Sequence, residues 1–556
     1  MSEIKGYEVL SQAFLAEGVD TMFVLLGDAN MYWGAMMAQK FGVRVVHARH
    51  EHCAVAMADG YARHTGKVGV ASVTCGPGFT QIMTALATAS RGSIPLVVFA
   101  GDSPTSSAWY VQQLDLAPLA LATGARYVAV KSVDRMLDSV REAFYIARQE
   151  RQPVVLGVPM DLQKAPFPWG AEYSPSTELM PTAQRPAPDP ALVDQLVSMI
   201  MEAKRPIILG GRGCVHSGAG PALEALAERC GALLATSLFA KGLFDHNRFG
   251  IGVAGAYASP LAREEFAACD LLIGVGAGLG HYTTEAGYLY PNAKTVQIDL
   301  NPRGLYQGIR VADLHIRADA KATAEAVLAK LTGRNFSSTG VRTPMLAKQI
   351  QAQAARPDSK EFLVEPGTVD PRPAILELDR TIPKDWTVVS GGAHFAGVVA
   401  THFYGRRAEN MHVVNDFGAI GSAFPIAIGM AAARGDGKVL LIEGDGSLMM
   451  HIQELETLRR QGIRMLICAV NDGGYGAEVH KFRAQGYDPT ESQHGRGDIA
   501  AIARGFGLRG EKVNTLGRFE DLFAAHERAG ETELWDLHVD DRIPSMPYRR
   551  IHYGEV

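Results

Sequence analysis

At 556 residues the chain is too long for one hydrophobic core, and its length predicts three domains of about 150 to 200 residues each. A formal net charge of -5 with 20% charged residues excludes the basic bias of a nucleic-acid binder or a membrane-surface protein. No basic, apolar leader opens the chain, no apolar run approaches the roughly 20 residues of a membrane helix, and six scattered cysteines lack a CxxC pair; a cytoplasmic protein without disulfides or zinc is expected.

From residue 1 to 168, apolar stretches at 22–26, 44–48, 68–74 and 96–100 alternate with helical periodicity, which predicts a doubly wound parallel sheet. Glu51 stands where the second strand hands over to a helix carrying Ala54, Ala58 and Tyr61. A carboxylate there is stabilised by the helix dipole and needs no further role. His47, His50 and His52 surround it, but their spacing does not fit HExxH and a strand-to-helix junction splays them, so no metal is expected on them. Residues 167–190, rich in Pro, Ser and Thr, read as a surface linker. A second α/β segment, 191–334, has predicted strands at 207–209, 271–275 and 296–300. Its Gly-Val-Gly-Ala-Gly-Leu-Gly run at 274–280 lacks the third glycine of GxGxxG, which favours a tight turn over a dinucleotide loop. Periodicity fades around 335–373, and a third segment spans 371–556.

The third segment carries the most specific pattern. Residues 440–443 and 463–470 are apolar strands, and 451–461 carry Ile452, Leu455 and Leu458 at helical spacing, which makes one parallel βαβ unit. Its polar turns, Gly444-Asp445-Gly446-Ser447 and Asn471-Asp472-Gly473-Gly474, then lie beyond the carboxyl ends of neighbouring strands, where open α/β sheets bind ligands. Asp445 and Asp472 can therefore converge. Oxygen ligands suit a hard cation and the amides of Gly446 and Ser447 can face phosphate oxygens, so these turns are a candidate Mg²⁺-diphosphate site. A lone GDGS would be an ordinary turn whose Asp caps the next helix.

GDG followed one unit later by NN or ND resembles the thiamine diphosphate signature. The run from His50-Glu51 through Ala58-Asp59-Gly60-Tyr61-Ala62-Arg63 is similar to the HExxAxxxAxGYAR segment of the family that contains acetolactate synthases, 2-oxo acid decarboxylases and benzaldehyde lyases, and further matches cover nearly the whole chain. The resemblance implies three doubly wound α/β domains: pyrimidine-binding (1–168), central (191–334) and diphosphate-binding (371–556). It implies thiamine diphosphate and Mg²⁺, the metal held by Asp445, Asp472 and the carbonyl of Gly474, with Asn471 in reserve because relatives carry Asn where Asp472 stands. Gly392, Ala393 and His394 would cradle the diphosphate with Gly444, Gly446, Ser447, Tyr475 and Gly476. Gly418 would accept from the 4′-amino group, and Ile420 would be the apolar wedge that keeps the cofactor bent; without a cofactor Ile420 reads as core. Glu51 would bond N1′ of the aminopyrimidine from a dry pocket, and Gly27, Gly76 and Gln112 would face the thiazolium and substrate.

Departures narrow the reading. Asp28-Ala29-Asn30 replaces the family's Pro- or His-bearing loop, and residues 102–116 hold no adjacent histidine pair, which disfavours a simple aldehyde-releasing decarboxylase. Glu478 stands where some decarboxylases keep a proton-relay glutamate; its bland alternative is an exposed helix carboxylate. The stretch 276–281 lacks the arginine of flavin-containing relatives, so FAD is not expected. The resemblance therefore implies an acetolactate-synthase-like lyase or transferase making or cleaving a C–C bond in a 2-oxo acid or 2-hydroxy ketone. Alternatives are a relative of 2-hydroxyacyl-CoA lyase or oxalyl-CoA decarboxylase, a cyclic-dione hydrolase, and an inactive regulatory subunit. A small carbonyl compound is the expected partner, with no nucleic acid or membrane, in a homodimer at least and a homotetramer by the family arrangement.

Overall fold

The computed structural model describes residues 4–168, 172–181, 185–302, 304 and 311–555. Three six-stranded sheets follow one another along the chain, and every strand pair within them is parallel. The first contains β1 (Thr21–Val24), β2 (Arg44–His47), β3 (Gly69–Val73), β4 (Leu96–Asp102), β5 (Arg126–Ala129) and β6 (Pro153–Pro159), in the order β2-β1-β3-β4-β6-β5. The middle sheet contains β7 (Pro206–Gly210), β8 (Leu233–Thr236), β9 (Gly250–Val253), β10 (Leu271–Val275), β11 (Lys294–Asp299) and β12 (Leu314–Arg317), in the order β12-β11-β10-β7-β8-β9. The third contains β13 (Thr387–Ser390), β14 (Met411–Val413), β15 (Val439–Gly444), β16 (Leu466–Asn471), β17 (Arg509–Val513) and β18 (Glu533–His538), in the order β14-β13-β15-β16-β18-β17.

Central strands such as β3, β4, β15 and β16 are almost wholly buried, because helices cover both faces of a parallel sheet; this is why they read as unbroken apolar runs. The first and third sheets share one strand order. In each, the order reverses between the first and third strands, β1 and β3 or β13 and β15, and crevices for ligands open at the carboxyl ends of such a pair. The middle sheet has the 3-2-1-4-5-6 order of dinucleotide folds. Its glycine run forms a tight turn after β10. Gly276, at φ 55°, packs so closely on Gly213 that a Cβ would stand 2.7 Å from the Gly213 Cα.

The first and third domains pack directly on each other. Helix Glu51–Thr65 follows β2, helix Ala423–Arg434 follows β14, and the two cross at glycines. A Cβ on Gly60 would lie 1.9 Å from the Ile426 carbonyl oxygen, and one on Gly429 would lie 1.9 Å from that of Met57. Ala54, Ala58, Phe424 and Ile428 bury their side chains in the common core that results.

The third sheet departs from expectation in detail. Residues 445–449 form their own short helix, so the following helix starts at Glu454 rather than 451, and β16 starts at Leu466 rather than 463. The 167–190 linker includes 169–171 and 182–184, which lie outside the described residues; its described part is tied to Glu17, whose carboxylate accepts from the Ser176 N–H at 2.7 Å. All six cysteines are buried free thiols. Among the described residues, no helix is long and apolar enough to cross a membrane.

Candidate active site

The turns after β13, β15 and β16 converge on a narrow cleft of about 50 Å³ whose lining includes Ala393, His394, Ile420, Asp445, Asp472 and Glu478. Gly444, Gly446, Ser447, Gly474, Tyr475 and Gly476 line it too. The spacing of Asp445 and Asp472 in sequence becomes proximity in space because β15 and β16 are neighbours in register. Burial raises both carboxyls above the usual carboxylate range, and for Asp472 the facing charge of Asp445 adds to the rise. Their protein partners are mainly amides: Gly473 N–H donates to Asp445 at 3.0 Å and Gly474 N–H to Asp472 at 3.3 Å. Two buried like charges with so little compensation fit a divalent cation bound between them. Asn471, the reserve ligand, does not line this cleft, and its Nδ2 donates to Asp536 at 2.8 Å.

Small residues keep the cleft open. A Cβ on Gly476 would stand 2.2 Å from an Asp472 oxygen, and one on Gly392 would stand 2.9 Å from the Asn415 side chain. Ala393 holds φ 84° at the start of helix His394–His402, a left-handed conformation uncommon for a residue with a Cβ and a marker of local strain. These turns can present backbone amides to phosphate oxygens.

His394 is buried at the cleft wall. Burial, then the nearby His480, holds it well below the usual imidazole range, so the ring is neutral. Ser545 N–H donates to its Nε2 at 2.8 Å, which leaves the ring proton on Nδ1. The wall behind it was not legible from sequence motifs: His480 lies 4.1 Å from His394 between ring centroids, and Tyr548 lies 4.9 Å away, edge-on. Tyr548 belongs to the C-terminal helix Met546–Tyr553, whose Tyr553 hydroxyl lies 3.2 Å from His480 Nδ1. Glu478, half exposed, pairs with Lys481 at 3.3 Å on the rim. His494, also unforeseen, approaches Asp445 to 4.0 Å.

Ile420 enters the cleft from a loop that Ser447 secures, the Gly421 N–H donating to Ser447 Oγ at 2.7 Å. Gly418 sits in the same loop at φ 73°.

Gly27, Glu51, Gly76 and Gln112 gather instead at the carboxyl edge of the first sheet. Glu51 Oε1 is 3.5 Å from where a Gly78 Cβ would stand, and a Cβ on Gly76 would meet the Gln112 carbonyl oxygen at 2.4 Å. Cys75 Sγ donates to Gln112 Oε1 at 3.3 Å. None of these four lines the cleft of the third domain. Next to Glu51, His52 stacks on His451 of the third domain with ring centroids 4.7 Å apart, and burial lowers both histidines, to about 3 and about 4.

Residues 4–119 match the family Thiamine pyrophosphate enzyme, N-terminal TPP binding domain; residues 193–327 match its central domain and residues 392–534 its C-terminal TPP binding domain. The chain belongs to the thiamine pyrophosphate-dependent enzymes of the acetolactate synthase family. It is 28% identical to the acetolactate synthase large subunit of Haemophilus influenzae, over 97% of this chain and 95% of that protein. It is 27% identical to the probable acetolactate synthase large subunit of Methanocaldococcus jannaschii, over 98% and 94%, and to the Escherichia coli isozyme 3 large subunit, over 92% and 90%.

Proposed function

We propose that this protein is a thiamine diphosphate- and Mg²⁺-dependent carboligase of the acetolactate synthase type, forming or cleaving a C–C bond beside the carbonyl of a 2-oxo acid or 2-hydroxy ketone. The observation that carries this reading is the buried Asp445/Asp472 pair at adjacent strand ends, set in a glycine cradle with Ile420 in the same cleft. The bound cofactor would supply a nucleophilic carbon and an electron sink for C–C cleavage. Asp445, Asp472 and the carbonyl of Gly474 would hold the metal. Gly392, Ala393 and His394, with Gly444, Gly446, Ser447, Tyr475 and Gly476, would hold the diphosphate; the neutral His394 can donate from Nδ1 without adding charge. Gly418 and Ile420 would orient the pyrimidine. Glu51 would share a proton with the pyrimidine ring, Gln112 would orient substrate beside Gly27 and Gly76, and Glu478 would move protons at the rim.

Each centre would join the first domain of one copy to the third domain of another, giving a homodimer that can pair into a homotetramer. That none of Gly27, Glu51, Gly76 and Gln112 lines the cleft of the third domain supports this, as do bulky apolar side chains left open to solvent next to Gln112, Trp109 at 75% exposure and Val111 at 74%. Six reduced, buried thiols suit the cytoplasm.

The test is a titration calorimetry measurement of cofactor binding with Mg²⁺, followed by product identification from a panel of 2-oxo acids and acyloins. Glu51→Gln should lower turnover by about 10²-fold or more while the cofactor Kd stays within about threefold, the scale of lost general acid–base catalysis. Full turnover in that variant rejects the assignment.

A further inference from the structure

The loop at 415–421 has few means of holding its shape. It lies outside helix and strand, its Asn415, Phe417 and Gly418 are exposed, and two of its residues, Gly418 and Gly421, adopt the positive φ values 73° and 84°. Asp416 is the exception, with its side chain 1% exposed. Arg63 of the first domain donates to it through Nη2 at 2.8 Å, and Arg212 of the middle domain donates to its other oxygen. Burial alone would raise the Asp416 carboxyl, but the two guanidiniums hold it below the usual carboxylate range. Arg212 is itself fixed by the Gly92 carbonyl at 3.0 Å and by the Phe239 ring at 4.2 Å, so Asp416 is seated on a rigid partner.

We propose that Asp416 is a positioning residue: clamped by arginines from the other two domains, it sets the loop that offers Gly418 and Ile420 to the cofactor's pyrimidine. The inference rests on the functional reading above for what the loop does, but the anchoring stands on this chain's own contacts. The loop is fixed at one end by Gly421 on Ser447 and at the other by Asp416. Removing the second anchor leaves Ile420 hinged about the first, and leaves two partly buried guanidiniums short of charge. Misplacing a reacting group by about 1 Å can cost on the order of 10²-fold in rate.

A nearby carboxylate provides the control. Asp59 is buried and also pairs with Arg63, through Nε and at 3.3 Å through Nη2, but it sits on helix Glu51–Thr65 and not on the loop. A merely structural role for the cluster predicts equal effects from Asp59→Asn and Asp416→Asn. Positioning predicts a split: in Asp416→Asn, amide hydrogen exchange at 417–420 of the cofactor-free protein speeds at least about tenfold, kcat falls about 10- to 100-fold, and the cofactor Kd stays within about threefold. Asp59→Asn leaves loop exchange and kcat within about threefold of the parent. Arg212→Gln, which removes only one partner, gives the same pattern more weakly and serves if Asp416→Asn fails to fold. Unchanged loop exchange in the Asp416 and Arg212 variants, or equal losses in the Asp59 and Asp416 variants, overturns the proposal. A parent protein that binds no cofactor would instead sink the functional reading, and the exchange contrast would still decide the anchor.

Discussion

Asp445 and Asp472 hold protons more tightly in the folded chain than unfolded carboxyls do, because burial disfavours both charges and the charge of Asp445 adds to this at Asp472. The sign follows: the stability they contribute is complete below the ordinary carboxylate pKa of about 4 and is lost as pH rises through their raised values. The metal-free protein should therefore gain more in melting temperature from Mg²⁺ at pH 8 than at pH 5.5, as thermal scans with and without the ion will measure; an equal gain at both would place the ion elsewhere. Asp472→Asn should raise the melting temperature of the metal-free protein by removing the repulsion, and weaken Mg²⁺ binding by about tenfold in calorimetry. The acidic pair was legible in the sequence because two short turns flanking one βα unit must share a sheet edge. His480 and Tyr548 were not, since their approach to His394 depends on how the C-terminal helix docks, which no local spacing encodes.

Helices Glu51–Thr65 and Ala423–Arg434 touch through backbone where Gly60 and Gly429 lie, so neither site has room for a methyl group. Gly60→Ala should cost about 1 to 3 kcal/mol through overpacking, despite the better helix propensity of alanine. Its readout is a lower denaturation midpoint; a midpoint equal to or above the parent's would mean the crossing is looser than described. The strands show where sequence reading succeeds. The apolar runs of β3, β4, β10, β15 and β16 announce central strands, whereas the edge strands β5, β9, β12, β14 and β17 go unmarked: they are short or polar and are not covered on both sides. The interior strands β6 and β8 go unmarked too, although both are buried and apolar. β18 was missed for another reason. Its buried Glu533 and Asp536 interrupt the apolar pattern, and each is paired inside the fold, Asp536 with Asn471 at 2.8 Å and Glu533 with Arg509 at 3.4 Å.

At the scale of the assembly, the proposed sharing of each centre between two copies predicts complementation. Co-expression of Glu51→Gln with Asp472→Ala, each inactive alone, should restore about a quarter of parental turnover, because half of randomly formed dimers are mixed and one of two centres in each is intact. No recovery would mean that both halves act within one chain. Acid sensitivity also belongs to this scale. Burial holds His216, His402, His412 and His480 at about 4, below the ordinary value of about 6.5. Depressed values mean that their contribution is complete above about pH 6.5 and is lost as pH falls toward 4. With cofactor and Mg²⁺ present, the denaturation midpoint should decline steadily from pH 7 to pH 5; a rise would contradict the burial of these rings.

The reciprocal glycine contact has an evolutionary reading. Gly60 meets the carbonyl three positions before Gly429, Gly429 meets the one three positions before Gly60, and both helices occupy the same place in sheets of identical strand order. A duplicated ancestral gene would leave such reciprocal packing behind: two descendants that kept their mutual grip while one came to carry Glu51 and the other Asp445 and Asp472. Superposition of the two sheets should then carry Gly60 onto Gly429, and a mismatch there would deny the common origin.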